Sequence, residues 1–350
     1  MDKEFTKQKI KELRAMVSEN DRIAIVLQDD PDPDAMASAM ALRALLGRNK
    51  QTTPLFSFSP VTRPENRTMV HLLDIEIQPA SPEALRDFDK IAMLDVQPPY
   101  FADKIARRTD IVIDHHPGYG PHDSPFQDLR PRYGATSTIM TEYMLCADEH
   151  ISERLGTALL YGIRTDTVML SRRVTDDDVL AFTHLYPIAN YSLLRQFERP
   201  ELPLQFARIL SRAMRRLVVK DGLVVLNLGR VARDDLIVQM SDLCLQFEGV
   251  QWVAVAGKLG TNLVIAVRNH GTTRQPAGEV VKQLFNEIGS AGGHRDMAKA
   301  VVPLRVWRSR QGTTRDAGLE SRLRELFTAQ LAAHPDESDS RTNVPRNGSS

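Results

Sequence analysis

Three runs in the first half of the chain are short, with an apolar stretch at successive positions and polar residues at its C-terminal end: RIAIVLQ (22–28), KIAMLDV (90–96) and TDIVIDHH (109–116). A run of this kind has no solvent-facing side and must be buried on both faces. TTPLFSFS (52–59) reads as a further strand. Helical spacing marks AMASAMALRALLGRN (35–49), RPENRTMVHLLD (63–74), GATSTIMTEYMLC (134–146) and SERLGTALLYGIRTDT (152–167). Strands that alternate with helices predict an α/β fold with a parallel sheet and helices on both faces. Ligands of such sheets gather beyond the carboxyl ends of the strands.

The rhythm changes near residue 185. YPIANYSLLRQFERPELP (186–203) contains three prolines and reads as an inter-domain connector with a helix in it. After it come the strand-like GLVVLNLG (222–229), VQWVAVAGKLG (250–260) and NLVIAVRN (262–269), the last two joined by a hairpin turn at Gly260-Thr261. A helix over 276–288 leads into GSAGGHRDMA (289–298), and KAVVPLRVW (299–307) is expected to close the sheet. The expected organisation is an α/β domain over 1–185, the connector 186–203, a smaller α+β domain over 204–331, and a disordered polar tail over 332–350.

Composition bounds the function. The chain is 42% hydrophobic and 26% charged, values of a soluble globular protein, and Lys plus Arg equals Asp plus Glu at 45 each. No overall field marks a binder of long polyanions, although a local patch suffices for a nucleotide or short nucleic acid. Two cysteines, Cys146 and Cys244, stand in apolar surroundings and read as buried thiols of a reducing compartment, not zinc ligands. The charged N-terminus lacks the apolar core of a signal peptide, and no stretch approaches the roughly 20 apolar residues of a membrane span. A cytoplasmic protein without a membrane partner is expected.

Acids and imidazoles then recur where strands or helices end. QDDPDPDA supplies Asp29, Asp30, Asp32 and Asp34, MLDVQ supplies Asp95, IDHH supplies Asp114, His115 and His116, and GIRTDT supplies Asp166. Taken singly, DPDPD fits a solvated turn, an Asp after a strand fits a helix cap, and DHH fits a polar loop. If the three strands are neighbours, however, these groups converge on one rim. Carboxylates crowded there must protonate or bind cations. Oxygen-rich donors with one or two imidazoles suit Mn²⁺ or Mg²⁺ better than structural zinc. Two such ions about 4 Å apart activate water and stabilise charge on a phosphoryl group.

With these residues assembled, the chain closely resembles the DHH-family phosphoesterases, in particular the subgroup of nanoRNase / pAp-phosphatase enzymes and bacterial cyclic-dinucleotide phosphodiesterases. DPDPDA, MLDVQ, VIDHHPG, GATSTIMTEY and YGIRTDT occur in family order, and GSAGGHRDMA is similar to the Gly-rich motif of the associated substrate-capturing domain. The resemblance covers nearly everything except the tail. It implies that 1–185 is the DHH catalytic domain and 204–331 the DHH-associated domain. It further implies one divalent cation on Asp34, Asp95, His115 and Asp166 and a second on Gln28, Asp32 and the bridging Asp95. Asp114 would orient an imidazole, His116 would face the substrate phosphate, and Arg268, Gly292, Gly293 and His294 would bind substrate. Gln28 departs from the family, which usually has histidine there. A neutral amide is a poorer ligand than imidazole, so Asp29 or Asp30 is a candidate extra carboxylate.

The expected function is metal-dependent hydrolysis of short oligoribonucleotides or linear dinucleotides such as pGpG, with pAp as a second substrate. The rivals are a cyclic-dinucleotide phosphodiesterase and a nucleotide-binding regulator disabled by Gln28. Short RNA or a nucleotide is the expected partner, with no stable long nucleic acid, and the resemblance also implies a homodimer.

Overall fold

The computed structural model describes residues 2–333 apart from 106, 119, 172, 173, 200–203, 272 and 274. Nearly all of the expected tail therefore lies outside the described residues. The chain divides into two units, Met1–Glu201 and Leu202–Ser350.

The first unit runs α1 (Lys3–Met16), β1 (Ile23–Val26), α2 (Pro33–Leu45), β2 (Leu55–Ser57), α3 (Pro64–Leu72), β3 (Ile77–Pro79), β4 (Lys90–Leu94), β5 (Ile111–Asp114), β6 (Phe126–Leu129), α4 (Thr136–Cys146), α5 (Glu153–Asp166), α6 (Asp176–Leu185) and α7 (Tyr191–Glu198). Its six strands form a wholly parallel sheet in the order β3-β2-β1-β4-β5-β6. The sheet grows one way from β1 to β3 and the other way from β4 to β6. Beyond β1 and β4 this reversal opens the crevice in which doubly wound sheets bind ligands. Register puts the acid-bearing ends level, because Val26 pairs with Met93 and Leu94 with Ile113. Extended by one or two residues, it aligns Gln28, Asp95 and Asp114 on the rim.

Alternate residues of each central strand feed two cores. Ile23, Ile25, Ala92, Leu94, Ile111 and Ile113 pack under the helices. Ala24, Val26, Ile91 and Met93 pack on the opposite face against Leu85, Phe88 and Phe101, the last from a short 3₁₀ turn over Pro98–Phe101. The segment 186–203 does more than connect. Leu194 and Phe197 of α7 are buried in the first core, because the apolar stripe of that helix needs cover.

A buried polar network ties α1, β6 and α4 together. Arg130 binds Asp128 at 2.7 Å and Glu142 at 3.1 Å, and Glu142 also accepts from Thr6 and from the Tyr133 hydroxyl. Asp178 of α6 braces the turn before α4. It accepts the Gly134 amide at 2.9 Å and the Thr138 hydroxyl at 2.6 Å, while completing a capping box with Thr175.

The second unit runs α8 (Leu204–Met214), β7 (Val219–Lys220), β8 (Leu223–Arg230), α9 (Asp235–Leu245), β9 (Trp252–Leu259), β10 (Asn262–Asn269), α10 (Ala277–Phe285), β11 (Ser290–Gly293), β12 (Met297–Pro303), α11 (Leu304–Gln311) and α12 (Asp316–Ala332). Its mixed sheet has the order β11-β12-β10-β9-β8-β7, with β8 and β9 parallel and the other pairs antiparallel. Gly260 (φ 56°) starts the β9–β10 hairpin, across which Leu259 pairs with Asn262. KAVVPLRVW closes the sheet only as far as Pro303, after which Leu304–Trp307 are helical.

Asp178→Ala removes a helix cap and strands buried donors, so the unfolding free energy should fall by about 2–4 kcal/mol in urea titration. A loss below about 0.5 kcal/mol, the scale of a neutral surface change, would contradict the bracing role.

Candidate metal centre

Asp34 enters the site in the first turn of α2 and is completely buried. Its two oxygens accept the amides of Thr136 and Ser137, both at 2.7 Å, so the open N-terminus of α4 holds the carboxylate. Asp95 follows β4 in a left-handed conformation (φ 62°), which Asp tolerates better than most residues. Its Oδ1 accepts the Thr136 hydroxyl at 2.9 Å. Its Oδ2 is buried with no hydrogen-bond partner.

His115 lies just beyond β5. Its Nδ1 donates to the Tyr133 carbonyl at 3.1 Å, which leaves Nε2 as the lone-pair nitrogen. That Nε2 is 3.1 Å from Asp166 Oδ2 and 3.5 Å from Asp95 Oδ1, yet it too is buried without a partner in hydrogen-bond geometry. Asp166 is the last residue of α5, and the chain leaves it through Val168, Met169 and Leu170, all at positive φ (48°, 57° and 61°). Such conformations are costly for side-chain-bearing residues and concentrate backbone strain beside the site. One ligating atom from each of Asp34, Asp95, His115 and Asp166 lies within 4.8 Å of the others. Hard oxygens, an imidazole and two unpartnered buried donor atoms fit a divalent cation.

Electrostatics agrees. Burial, then the charge of Asp166, pushes the Asp34 carboxyl up to about 7. The same two causes push Asp32 up to about 6, and burial with the Asp34 charge drives Asp95 well above the ordinary range. Burial opposes a charged His115, but Asp166 and Asp34 outweigh it and raise that imidazole to about 9. Without a cation the cluster binds protons instead.

Asp114 and His116 form a second layer. The Asp114 carboxylate is 2.9 Å from His116 Nδ1 and accepts the Gln97 amide at 2.7 Å. Burial alone would raise its pKa, yet the hydrogen bond and charge of His116, with Gln97, hold it low. His116 groups with Asp95 and His115.

Asp32 and Gln28 meet each other at the start of α2. Asp32 caps α2 by accepting the Ala35 amide and takes the Gln28 side-chain amide at 2.7 Å, standing outside both ligand groups. Gln28 thus turns its nitrogen to Asp32. Asp29 binds Lys104 at 2.7 Å through Oδ2 while its Oδ1 is buried without a hydrogen-bond partner, and Asp30 accepts the Thr62 amide and hydroxyl; neither belongs to the two ligand groups. Thr136, Ser137, Tyr133 and Gln97 are functional supports that the sequence reading did not single out. Gly162 is another, because a Cβ there would sit 2.3 Å from Ser137 Oγ and 3.1 Å from Asp34 Cα. Only glycine lets α5 pass this close to Asp34.

Within the second unit, Arg268, Gly292, Gly293 and His294 gather at one end of the sheet. Arg268 pairs with Met297 across β10 and β12, and the His294 amide donates to the Met297 carbonyl. Gly293 (φ 156°) is structurally required, since a Cβ would lie 2.3 Å from the Met297 oxygen, whereas Gly292 has open space. Arg268 is bound to Asp242 at 2.6 Å, and His294 is exposed.

Residues 22–163 match the model of the DHH family, N-terminal domain. An uncharacterised protein of Methanocaldococcus jannaschii is 31% identical over 288 residues, covering 82% of this chain and 59% of that protein. The cyclic-di-AMP phosphodiesterase GdpP of Geobacillus thermodenitrificans is 23% identical over 306 residues, covering 82% of this chain and 46% of that protein. The chain thus spans about half the length of the curated relatives it matches. An exopolyphosphatase-related protein of Bacteroides fragilis shares the fold, with a TM-score of 0.68 at 15% identity over 93% of this chain and 97% of that one.

Two predictions follow from the donor set. Raised carboxyl pKa values mean that the metal-free folded chain binds more protons than the unfolded one from the ordinary 3.8 up to about 7. Stability falls as pH rises through that window, and the contribution of His115 is lost between 6.5 and about 9. Chelator-treated protein should therefore melt lower at about pH 8 than at about pH 5.5, while the rise in Tm given by Mn²⁺ should be larger at the higher pH. A cation-induced rise independent of pH would contradict these ligands. Gly162→Ala should weaken Mn²⁺ binding by about tenfold or more in calorimetry, as displacing a ligand's support does. Unchanged affinity would remove the Gly162 contact from the account.

Proposed function

We propose, on the match of residues 22–163 to the DHH family, N-terminal domain, that the chain is a divalent-metal-dependent phosphoesterase acting on short nucleotide phosphodiesters. The observation that carries this reading is the buried group of Asp34, Asp95, His115 and Asp166, in which Asp95 Oδ2 and His115 Nε2 have no partner in hydrogen-bond geometry while Nε2 faces the Asp166 and Asp95 carboxylates. These four residues hold one cation. Asp32, Gln28 and the shared Asp95 hold a second, with Mn²⁺ the best match to the donors and Mg²⁺ the alternative. When bound, the cations supply neutralisation of the carboxylates, activation of water and stabilisation of charge on the phosphoryl group.

The chain's own residues supply position and protons. The Thr136 and Ser137 amides fix Asp34, and the Tyr133 carbonyl fixes the tautomer and plane of His115. Asp114, held ionised, accepts a hydrogen bond from His116 Nδ1–H, so that proton exchange at this imidazole runs through Nε2. His116 then donates to the departing oxygen. In the second unit, Arg268 and His294 offer a guanidinium and an imidazole, and the open Gly292 admits close approach of a ligand to backbone. We assign that surface to nucleotide binding.

Linear dinucleotides such as pGpG and oligoribonucleotides of a few residues are the preferred substrates, with pAp as a second. With 45 basic against 45 acidic residues, no broad positive field exists to hold a long polyanion. A cyclic dinucleotide is the second reading, favoured by the similarity to GdpP.

Chromatographic product analysis with Mn²⁺ or Mg²⁺ and a panel of pGpG, longer RNA, cyclic dinucleotide and pAp tests the proposal. Asp95→Asn is the control, because Asn keeps the left-handed backbone while removing the shared charge. Products should form with metal, fastest from pGpG, and be absent with the variant. Turnover that persists in folded Asp95→Asn would overturn the site. Nucleotide binding without turnover under any metal would make the chain a regulator.

A further inference from the structure

Helices α2 and α5 each span from the acidic centre to a second cluster of charge at their other ends. Asp34 and Arg43 are nine residues apart on α2, roughly 14 Å of helical rise. Ser152 caps the N-terminus of α5, and Asp166 ends it. Between these far ends lies a cavity of about 180 Å³ whose lining includes Arg43, Arg48, Arg154, Ser152 and Asp74. Its volume is that of several waters, or of one or two phosphoryl groups.

Each guanidinium is anchored through a backbone carbonyl instead of a carboxylate. Arg43 Nε donates to the Thr53 carbonyl at 3.0 Å and Arg154 Nη2 to the Asp74 carbonyl at 3.1 Å. Arg48 donates to the Ser18 and Glu19 carbonyls. Among the described residues no carboxylate forms an ion pair with any of the three. The nearby acids Asp74 and Glu76 are both engaged by Lys50. Burial, then repulsion from Arg154, lowers the pKa of the half-buried Arg43. The carbonyl-anchored guanidiniums of Arg43, Arg48 and Arg154 thus gather positive charge around this cavity, offset in part by Asp74 on its lining, as the carboxylates gather negative charge at the metal centre.

We propose that this cavity is an anion site, separate from the metal centre, which binds a phosphate or diphosphate group through Arg43, Arg48 and Arg154 with the Ser152 hydroxyl. The group is either free inorganic phosphate or the terminal phosphates of a nucleotide. The inference goes beyond the phosphoesterase reading and does not rest on it.

Calorimetric titration of the full chain tests it, with chelator present so that the acidic centre is metal-free and repels anions. The probes are inorganic phosphate, pyrophosphate and ADP. One saturable pyrophosphate site is expected, weakened at least about tenfold by Arg154→Gln and unaffected by Asp95→Asn. Arg154 lies on the exposed first turn of α5, so its substitution spares the fold even if Arg43→Gln does not. Binding of ADP with the same sensitivity to Arg154→Gln would identify a nucleotide as the source, and binding of phosphate and pyrophosphate alone an inorganic one. No binding by wild type, or equal binding by folded Arg154→Gln, would overturn the site. Binding that survives Arg154→Gln but is lost in Arg268→Ala would assign the anion to the second unit and overturn it equally.

Discussion

A fully buried carboxylate needs compensation for the water it has lost, and Asp34 obtains it from the first two amides of α4. That one contact fixes much of the first unit. It sets where α4 begins, and it requires α2 to present its first turn to the start of α4. It also obliges α5 to cross at Gly162, where no side chain intervenes. Asp178 and the Arg130 network then hold the turn before α4 and the body of that helix from behind. Asp95 and His115 receive only half of this treatment. One oxygen and one nitrogen stay buried without a partner in hydrogen-bond geometry, a cost accepted where function requires it.

The same crowding makes the metal-free state a compromise between stability and use. Carboxyls shifted upward by burial and by one another are less stable ionised than they would be in the unfolded chain. A cation that binds only the folded arrangement reverses this and couples occupancy to folding. Strain beside the centre, in Asp95 and in the left-handed run after Asp166, falls where such a ligand would offset it.

Most of the first sheet was legible because its strands are apolar at successive positions, which only burial on both faces explains. β3 and β6 were not. Ile77–Pro79 is a three-residue edge strand, and Phe126–Leu129 is the edge strand on the other side, four residues long with the polar Gln127 and Asp128 at its centre. Pro303 stopped a strand that apolar content alone extended to Trp307. Of the centre, Asp34, Asp95, His115 and Asp166 were readable as charged residues at the ends of elements. Their supports act through a backbone amide (Thr136, Ser137), a carbonyl (Tyr133) or a missing Cβ (Gly162), and no residue type announces those roles. The pairing of Gln28 with Asp32 and the gathering of Arg43, Arg48 and Arg154 arise from folding alone. Arg154 lies over a hundred positions from the other two arginines.

The central claim is that Asp95 Oδ2 and His115 Nε2 point at a cation. Anomalous diffraction from crystals of the full chain grown with Mn²⁺ tests it most directly. The account predicts a manganese peak within bonding distance of both atoms, and of Asp34 and Asp166, with any weaker second peak near Asp32 and Gln28. Clear density for all four side chains without a manganese peak among them would contradict it.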